Sequence, residues 1–520
     1  MSGKRHAVEG WARLVWVPPL LATLIAGLYR IGHAQPWRDE LATWSAATRP
    51  LGDLLRLTDT VDAATGPYYL LMHGWVRLFG DSATALRLPS ALAMAGAAGL
   101  TAVLGRWLLG TRAGLLAGLL FAVLPGTSRY AQEARPYALA SLFAVLATLL
   151  LVAALRRPTW TRWAGYAAAV AALGLTHLLA LTLLAAHAAV VLNGAVHDRD
   201  GRLPVRWVLA VLPALALLTP LLLTARGQRS RQLDWVEPAR LADLAALPGG
   251  VAQSSVVGGL LVGLAALGAV RAGRRALLPG LCLLLPVLLV FVGALVVALW
   301  VPRYLVFTVP FASVLAGAAL AGAPTADPTA AEQRRPGASA RAAAAGSAAS
   351  ASAAGASVPA AWASVSGALA VVVLAGLLGL PDQAALRQTH GWPRSATVDY
   401  RGAARIIAAG QQPGDAVVVH PRDGWLFLDL GLAYHLDARP RDVLVVRDQR
   451  QRADLWATEC ARPAECLAGV RRVWLVVAGR GPDPVAAVPG AKGDALRAGF
   501  TVGQVWQRPG VTVALLTARG

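Results

Sequence analysis

An apolar run of about 20 residues can cross roughly 30 Å of hydrocarbon as a helix, and a chain that repeats such runs is barred from most water-soluble folds. Eleven occur here: Trp11–Gly32, Ser82–Leu104, Gly114–Leu124, Pro136–Leu155, Trp163–Leu175, Leu178–Leu192, Trp207–Leu223, Val251–Val270, Leu277–Trp300, Leu305–Leu320 and Trp362–Leu380. The third, fifth and sixth are short, which suits tilted or partly re-entrant segments. The first is too long for a cleaved leader and lacks a small-residue cleavage site, so it reads as a retained span. The expected fold is mostly α, a polytopic membrane protein of about 11 transmembrane helices.

Composition agrees, and it is uneven. Hydrophobic residues make up 56% of the 520 and charged ones 15%, against about 45–50% and about 25% in soluble proteins. The last 140 residues hold 18 Lys/Arg and 13 Asp/Glu, the first 380 only 30 and 15. A single soluble enzyme and a disordered chain are both excluded. The net charge of +20 does not indicate nucleic acid, because the basic residues fall singly or in pairs between apolar runs and no basic stripe interleaves with aromatics.

Those basic residues orient the chain. With the amino terminus inside, the inner segments carry Lys4/Arg5/Arg13, Arg106/Arg112, Arg156/Arg157/Arg162, Arg199/Arg202/Arg206, Arg271/Arg274/Arg275 and Arg334/Arg335/Arg341, as positive-inside topology requires. An odd number of spans then puts the carboxy-terminal region outside. The expected organisation is a membrane domain over 1–321, a cytoplasmic linker rich in Ala, Ser, Gly and Pro over 322–360, a last helix over 361–380 and an extracytoplasmic α/β domain over 381–520. The linker has almost nothing to bury.

The α/β reading rests on short β-like runs, Asp415–His420, Asp442–Val446, Val473–Val477 and Val511–Leu516, alternating with helical stretches such as Gly402–Ala409. No G-x-G-x-x-G follows any of them, so nothing indicates a nucleotide site. Cys282 lies in an apolar span and reads as packing. Cys460 and Cys466 are candidates for a local disulfide if their side is oxidising, since a zinc site needs more ligands than this neighbourhood offers.

Ionisable groups gather in the expected outer loops. The longest, Gly32–Asp81, contains Trp37-Arg-Asp-Glu40. Adjacent carboxylates at a membrane surface need cationic partners, a metal ion or a proton, so Asp39 and Glu40 are the catalytic candidates and the place for a divalent metal if there is one. A helix start with acids on its dipole is the bland alternative. Ser128-Arg-Tyr-Ala-Gln-Glu-Ala-Arg-Pro-Tyr137 puts Glu133 and Arg135 at the mouth of two spans, as a polar site or as interfacial anchoring. Arg303, beside Tyr304, suits a lipid-linked phosphate through its planar fork, or simply snorkels. His177 lies between two spans. Asp198-Arg-Asp200 matches the D-x-D pattern of metal-dependent nucleotide-sugar enzymes but has no nucleotide fold around it.

Taken together, Trp37-Arg-Asp-Glu-Leu-Ala-Thr-Trp44, Gly66-Pro-Tyr-Tyr-Leu-Leu-Met-His73, Arg77-Leu-Phe-Gly-Asp-Ser82, Leu86-Arg-Leu-Pro-Ser90, Gln132-Glu-Ala-Arg-Pro-Tyr137, Thr176-His177, Gln232-Leu-Asp-Trp235 and Arg303-Tyr304 resemble the dolichyl-phosphate-mannose–protein mannosyltransferase family. The likeness is to its bacterial branch, which includes the lipid A aminoarabinose transferases, and it covers about residues 30–320. It implies a GT-C fold and an inverting transfer of a sugar, mannose or a pentose, from a polyprenyl-phosphate donor. The acceptor would be a hydroxyl of a protein, lipid or cell-wall glycan at the outer face. By that likeness Asp39 is the base with Glu40 beside it, and Tyr68, Tyr69, Glu133, Arg135, His177, Arg303 and Tyr304 serve the donor. Family members often carry His-Pro-Pro where Thr65-Gly66-Pro67 stands here. A lipid or sugar transporter is the rival reading. It would favour helices broken near the midplane and an internal repeat, neither of which is legible.

Overall fold

The computed structural model describes residues 14–233, 236–322, 350–388 and 398–519. Among them, seven segments are long and apolar enough to cross a membrane: Ala83–Leu109, Tyr137–Arg156, Leu178–Asp198, Arg202–Gln232, Ser255–Ala294, Pro302–Ala321 and Ser366–Leu386. Thr111–Val123 and Pro125–Ala131 make an eighth if the two arms, bent by 66°, are one crossing. The chain is a multi-pass membrane protein.

Some of the eleven expected spans take another form among the described residues. Val17–Leu28 has only 12 residues of helix, and Trp160–Thr176 has 17. Ser255–Ala272 and Leu277–Ala294 join through the 3-10 turn Gly273–Ala276 into one 40-residue run. At 1.5 Å per residue that run is about 60 Å long, twice the hydrocarbon thickness, and Arg271, Arg274 and Arg275 sit at its break. The bend after Val123 follows from Pro125, which opens the next helix. So a sharply bent helix pair, a broken span or a re-entrant segment, does exist here, although no broken span was legible in the sequence.

Bundle helices approach closely where residues are small. A Cβ on Gly268 would sit 1.8 Å from the Leu315 carbonyl oxygen, and one on Gly114 2.3 Å from that of Ala102. A polar knot lies inside the bundle: His187 is buried, with its two ring nitrogens 3.1 Å from the Thr148 hydroxyl and 3.0 Å from that of Tyr166. Cys282 is buried with a free thiol.

The expected outer loop Gly32–Asp81 is itself helical, forming Arg38–Ala47, Leu51–Thr60 and Gly66–Phe79. These short helices lie between the bundle and the carboxy-terminal domain. Leu41, Leu54, Leu57 and Met72 bury their side chains in one core with Phe427, Leu428 and Trp456.

The carboxy-terminal domain is α/β. Its sheet runs in the order β2-β1-β5-β7-β6, from β1 (Ala416–His420), β2 (Arg441–Asp442), β5 (Arg472–Ala478), β6 (Phe500–Arg508) and β7 (Val511–Ala518). β1 pairs in parallel with β2 and β5, while β7 lies antiparallel to β5 and β6. β3 (Val445–Arg447) and β4 (Thr458–Glu459) form a separate ribbon. β1, β5 and β7 coincide with runs read from sequence, whereas the run Asp442–Val446 is split by a turn at Val443–Leu444 between β2 and β3. β6 matches none of these runs, because it is an edge strand whose exposed residues break the apolar alternation. Helix Tyr400–Gly410 is capped by Asp399, which accepts from Gly402 N at 2.8 Å. Cys460 and Cys466 are disulfide-bonded.

Helix Ser350–Leu386 starts within the segment expected as a linker and runs through the expected boundary at 381. Most of that linker, with Arg334, Arg335 and Arg341, lies outside the described residues. So do Lys4, Arg5, Arg13, Asp234 and Trp235.

Candidate functional site

A cavity of about 460 Å³ opens where the helix starts of the bundle meet the carboxy-terminal domain. Arg38, Asp39, Asp62, Arg135, Tyr137, His177, Arg226, Arg229, Arg303 and Tyr304 supply its polar lining, and Trp425, Phe427 and Leu455 reach it from the carboxy-terminal domain.

Asp39 stands in the first turn of helix Arg38–Ala47. Its carboxylate lies 3.5 Å from Arg303 Nη2 and 3.5 Å from Arg38 Nε, and the side chain remains 15% exposed, so solvent or substrate can reach it. Arg303 is held by its surroundings: its Nε donates to the Tyr137 hydroxyl at 3.1 Å, and its guanidinium packs over the rings of Trp37 and Tyr304. Tyr137, His177 and Tyr304 form an aromatic wall, their ring centroids 5.4–6.2 Å apart. Such packing fixes the cation's direction without neutralising it.

Asp62 has left-handed backbone, φ 57°. Its carboxylate accepts from the hydroxyls of Tyr69 and Thr65, the latter at 2.7 Å, and from Gln232 Nε2 at 3.0 Å. Gln228 accepts from Ala63 N and donates to the Thr58 carbonyl, each at 2.8 Å. The end of helix Arg202–Gln232 is thereby pinned to this turn, which brings Arg226 and Arg229 to the cavity. Arg135 Nη1 lies 3.4 Å from the Tyr69 hydroxyl, and its buried Nε has no hydrogen-bond partner among the described residues.

Of the residues named from sequence, Asp39, Arg135, His177, Arg303 and Tyr304 come together in this cavity. Glu40, Tyr68, Tyr69 and Glu133 do not line it. Glu40 is buried against Arg87, whose Nε and Nη2 donate to its two oxygens at 2.7 and 2.6 Å, and Ala134 N donates to it at 2.9 Å. Glu40 also caps its own helix, accepting from Trp37 N at 3.3 Å. Burial alone would push this carboxyl up, but Arg87 and the Ala134 amide more than offset that and hold it below the usual range. Glu40 is thus a structural anchor on one side of the helix, not a neighbour of Asp39 in the cavity. The two carboxylates do not converge as a metal pair, and no group of three or more His, Cys, Asp or Glu converges on a metal position among the described residues.

Glu133 is buried with one oxygen 3.3 Å from Arg129 Nη2 and the other unpartnered among the described residues. Burial pushes its carboxyl up, which Arg129 only partly offsets. Tyr68 is buried and Tyr69 supports Asp62 and Arg135 from behind. The sequence reading missed Asp62, Arg226, Arg229 and the three residues of the α/β domain. The only available signal for Asp62 was an acid inside the long outer loop; for Arg226 and Arg229 it was a basic cluster after an apolar run.

Residues 67–223 match the family model described as dolichyl-phosphate-mannose-protein mannosyltransferase. No curated protein matches the chain by sequence. The structure is similar to that of ArnT from Cupriavidus metallidurans in the apo state, with a TM-score of 0.63, 16% identity and 98% of each chain covered. It is similar also to ArnT from the same organism bound to undecaprenyl phosphate, at a TM-score of 0.60 and 16% identity, covering 97% of this chain and 98% of that one. The resemblance read from the motifs is borne out, and the fold is of the GT-C type with a carboxy-terminal α/β domain.

Proposed function

We propose that this protein is a membrane glycosyltransferase that moves a sugar from a polyprenyl-phosphate donor to an acceptor hydroxyl at the extracytoplasmic face, with inversion. The observation that carries the reading is the placement of Asp39 and Arg303 side by side, 3.5 Å apart, in the wall of one cavity. A carboxylate that can take a proton lies next to a fixed guanidinium that can meet a phosphate. The match of residues 67–223 to the mannosyltransferase family model and the undecaprenyl phosphate bound by the ArnT of the same fold support this donor class.

Asp39 takes the proton of the acceptor hydroxyl as that oxygen attacks the anomeric carbon. The bond from that carbon to the phosphate oxygen breaks, and its electron pair leaves with the polyprenyl phosphate. Negative charge grows on the phosphate during this step, so cations already in position stabilise the transition state more than the bound donor. Arg303, oriented by Tyr137, faces Asp39 directly. Arg135, Arg226 and Arg229 extend the cationic wall. A lipid-linked donor also explains why such a site is built at the ends of spans: the tail stays in hydrocarbon while the sugar enters an aqueous cavity.

The test is donor consumption. Membranes holding the wild type or Asp39→Asn at equal expression are given a panel of radiolabelled polyprenyl-phosphate sugars, with native envelope extract as acceptor. Loss of label from one donor with the wild type but not the variant supports the assignment and identifies the sugar. Equal background for both, across the panel, overturns it.

A further inference from the structure

One buried aspartate of the α/β domain touches both helices that carry charge to the cavity. Asp454 has a side chain only 2% exposed. A tight loop delivers it: Asp454 N donates to the Gln449 carbonyl at 2.9 Å, and Ala453, just before it, has left-handed backbone, φ 51°. A residue other than glycine keeps that conformation only where its surroundings impose it.

The backbone and the side chain of Asp454 hold different partners. Its carbonyl accepts from Arg49 Nη2 at 2.7 Å. Arg49 is buried two residues past helix Arg38–Ala47, and it also donates to the Ser45 carbonyl of that helix at 3.2 Å and to the Ser45 hydroxyl at 3.4 Å. The Asp454 carboxylate accepts from Arg231 Nη2 at 2.6 Å, in the last turn of helix Arg202–Gln232. The helix that bears Asp39 and the helix that bears Arg226 and Arg229 are thus joined through one residue, 405 positions from Arg49 and 223 from Arg231.

Arg231 does not line the cavity. Arg226 and Arg229 are three apart and share a helix face, from which Arg231 is turned by about 140–200°. Its guanidinium lies 5.4 Å from the ring centroid of Trp456, and Trp456 stacks on Phe427, a residue of the cavity wall. Leu455, the residue after Asp454, lines the same wall.

The junction is also balanced in charge. Arg452 gives Asp454 a second cation at 3.2 Å, and its other oxygen accepts from Leu455 N at 2.7 Å. Losing Arg231, 41% exposed, therefore leaves Asp454 paired and the fold intact while cutting the tie to the helix. In an inverting transfer the attacking oxygen and the leaving phosphate lie on opposite sides of the anomeric carbon. The spacing between the proton acceptor and the cationic wall then governs the rate.

We infer that Asp454 is a positioning residue for the transfer: through Arg49 and Arg231 it sets the spacing between Asp39 and the face of Arg226 and Arg229. The inference rests on the glycosyltransferase reading and goes further by making the α/β domain part of the construction of the donor site.

The full chain, purified in detergent, is assayed for donor consumption and for binding of undecaprenyl phosphate. Arg231→Ala and Asp454→Asn should each lower kcat/KM by about 10–100-fold, the cost of misplacing groups that must be aligned, and Arg231→Ala should weaken undecaprenyl phosphate binding about tenfold. Arg231→Lys should recover most of the loss, because a single nitrogen makes the contact with Asp454. On a background lacking both Arg226 and Arg229 side chains, Arg231→Ala should cost no more than about twofold further, since residues on one path are not additive. Wild-type kcat/KM in both single variants, no recovery with Lys, or the full loss on that background overturns the inference. The same preparation separates the two ideas. If the wild type consumes donor and the variants match it, the positioning role fails and the enzyme reading stands. If the wild type consumes no donor yet binds undecaprenyl phosphate about tenfold more tightly than Arg231→Ala does, the positioning role stands and the enzyme reading fails. If it neither consumes donor nor binds undecaprenyl phosphate, both fail.

Discussion

Asp39 and Glu40 are neighbours in the chain and face different sides of the same helix. Asp39 opens to the cavity beside Arg303 at 3.5 Å, while Glu40 closes on Arg87 through two hydrogen bonds of 2.7 and 2.6 Å. Adjacent helical residues point about 100° apart, so one acid can serve chemistry while the next anchors the helix that carries it. Arg87 extends that anchor, donating also to the carbonyls of Ile31, Ala34 and Gln35. The proposed base is therefore borne by a helix whose first turn cannot easily shift.

Replacing Asp39 by Asn keeps the shape and removes the proton acceptor. Donor consumption should fall by about 10²–10⁴-fold, with the protein's melting temperature little changed. A variant that consumes donor at the wild-type rate would remove Asp39 from the mechanism.

Arg303 should be sensitive to the form of its cation as well as to its charge. Arg303→Ala is expected to cost on the order of 10–100-fold in kcat/KM, the worth of a charge-assisted hydrogen bond. Arg303→Lys should recover only part of this, because a single ammonium nitrogen lacks the planar fork that lets Nε hold Tyr137 while the Nη groups meet the phosphate. Steady-state kinetics with the identified donor decide it, and full activity in the Lys variant would argue for simple anchoring.

Glu40 should behave as a stability residue. Glu40→Gln leaves Arg87 buried without its charge partner, a change that typically costs about 3–5 kcal/mol. Its carboxyl is held below the unfolded value, so its contribution is present above about pH 4 and is lost as pH falls through the lower, folded value. Thermal unfolding in detergent should show a large gap between wild type and variant at pH 7 that narrows in acid.

Glu133 should show the opposite sign. Its carboxyl is raised by burial, so the folded state binds the proton more tightly and the ionised form costs stability above the folded value. Glu133→Gln should therefore melt no lower than wild type at pH 7, and any gain should vanish as pH falls through that raised value. A strong loss at neutral pH would mean that the pair with Arg129, at 3.3 Å, outweighs the burial.

Much of the fold was legible because bilayer and sheet impose short-range patterns. Apolar length marked the spans, and alternating β-branched runs marked β1, β5 and β7. Where a pattern needed context it failed: β6 reads as polar because one edge of it meets solvent. The site was half legible. Arg135, His177, Arg303 and Tyr304 were found as polar residues next to apolar runs, the place where membrane proteins keep such groups for a reason. Asp62 could not be found this way, since its role comes from Tyr69, Thr65 and Gln232 converging on a left-handed turn.

The sequence by itself determined that this chain lives in a membrane, carries an α/β domain at its carboxy terminus and holds its ionisable groups at the ends of its spans. Hydrophobic transfer acts residue by residue along a run, and so it can be read there. Which of two adjacent acids meets Arg303, which arginines share a cavity and where the α/β domain closes over it were decided only by the tertiary structure. Those are distances of a few ångströms between groups far apart in the chain, and electrostatic and hydrogen-bonding energies depend on such distances rather than on spacing along the sequence.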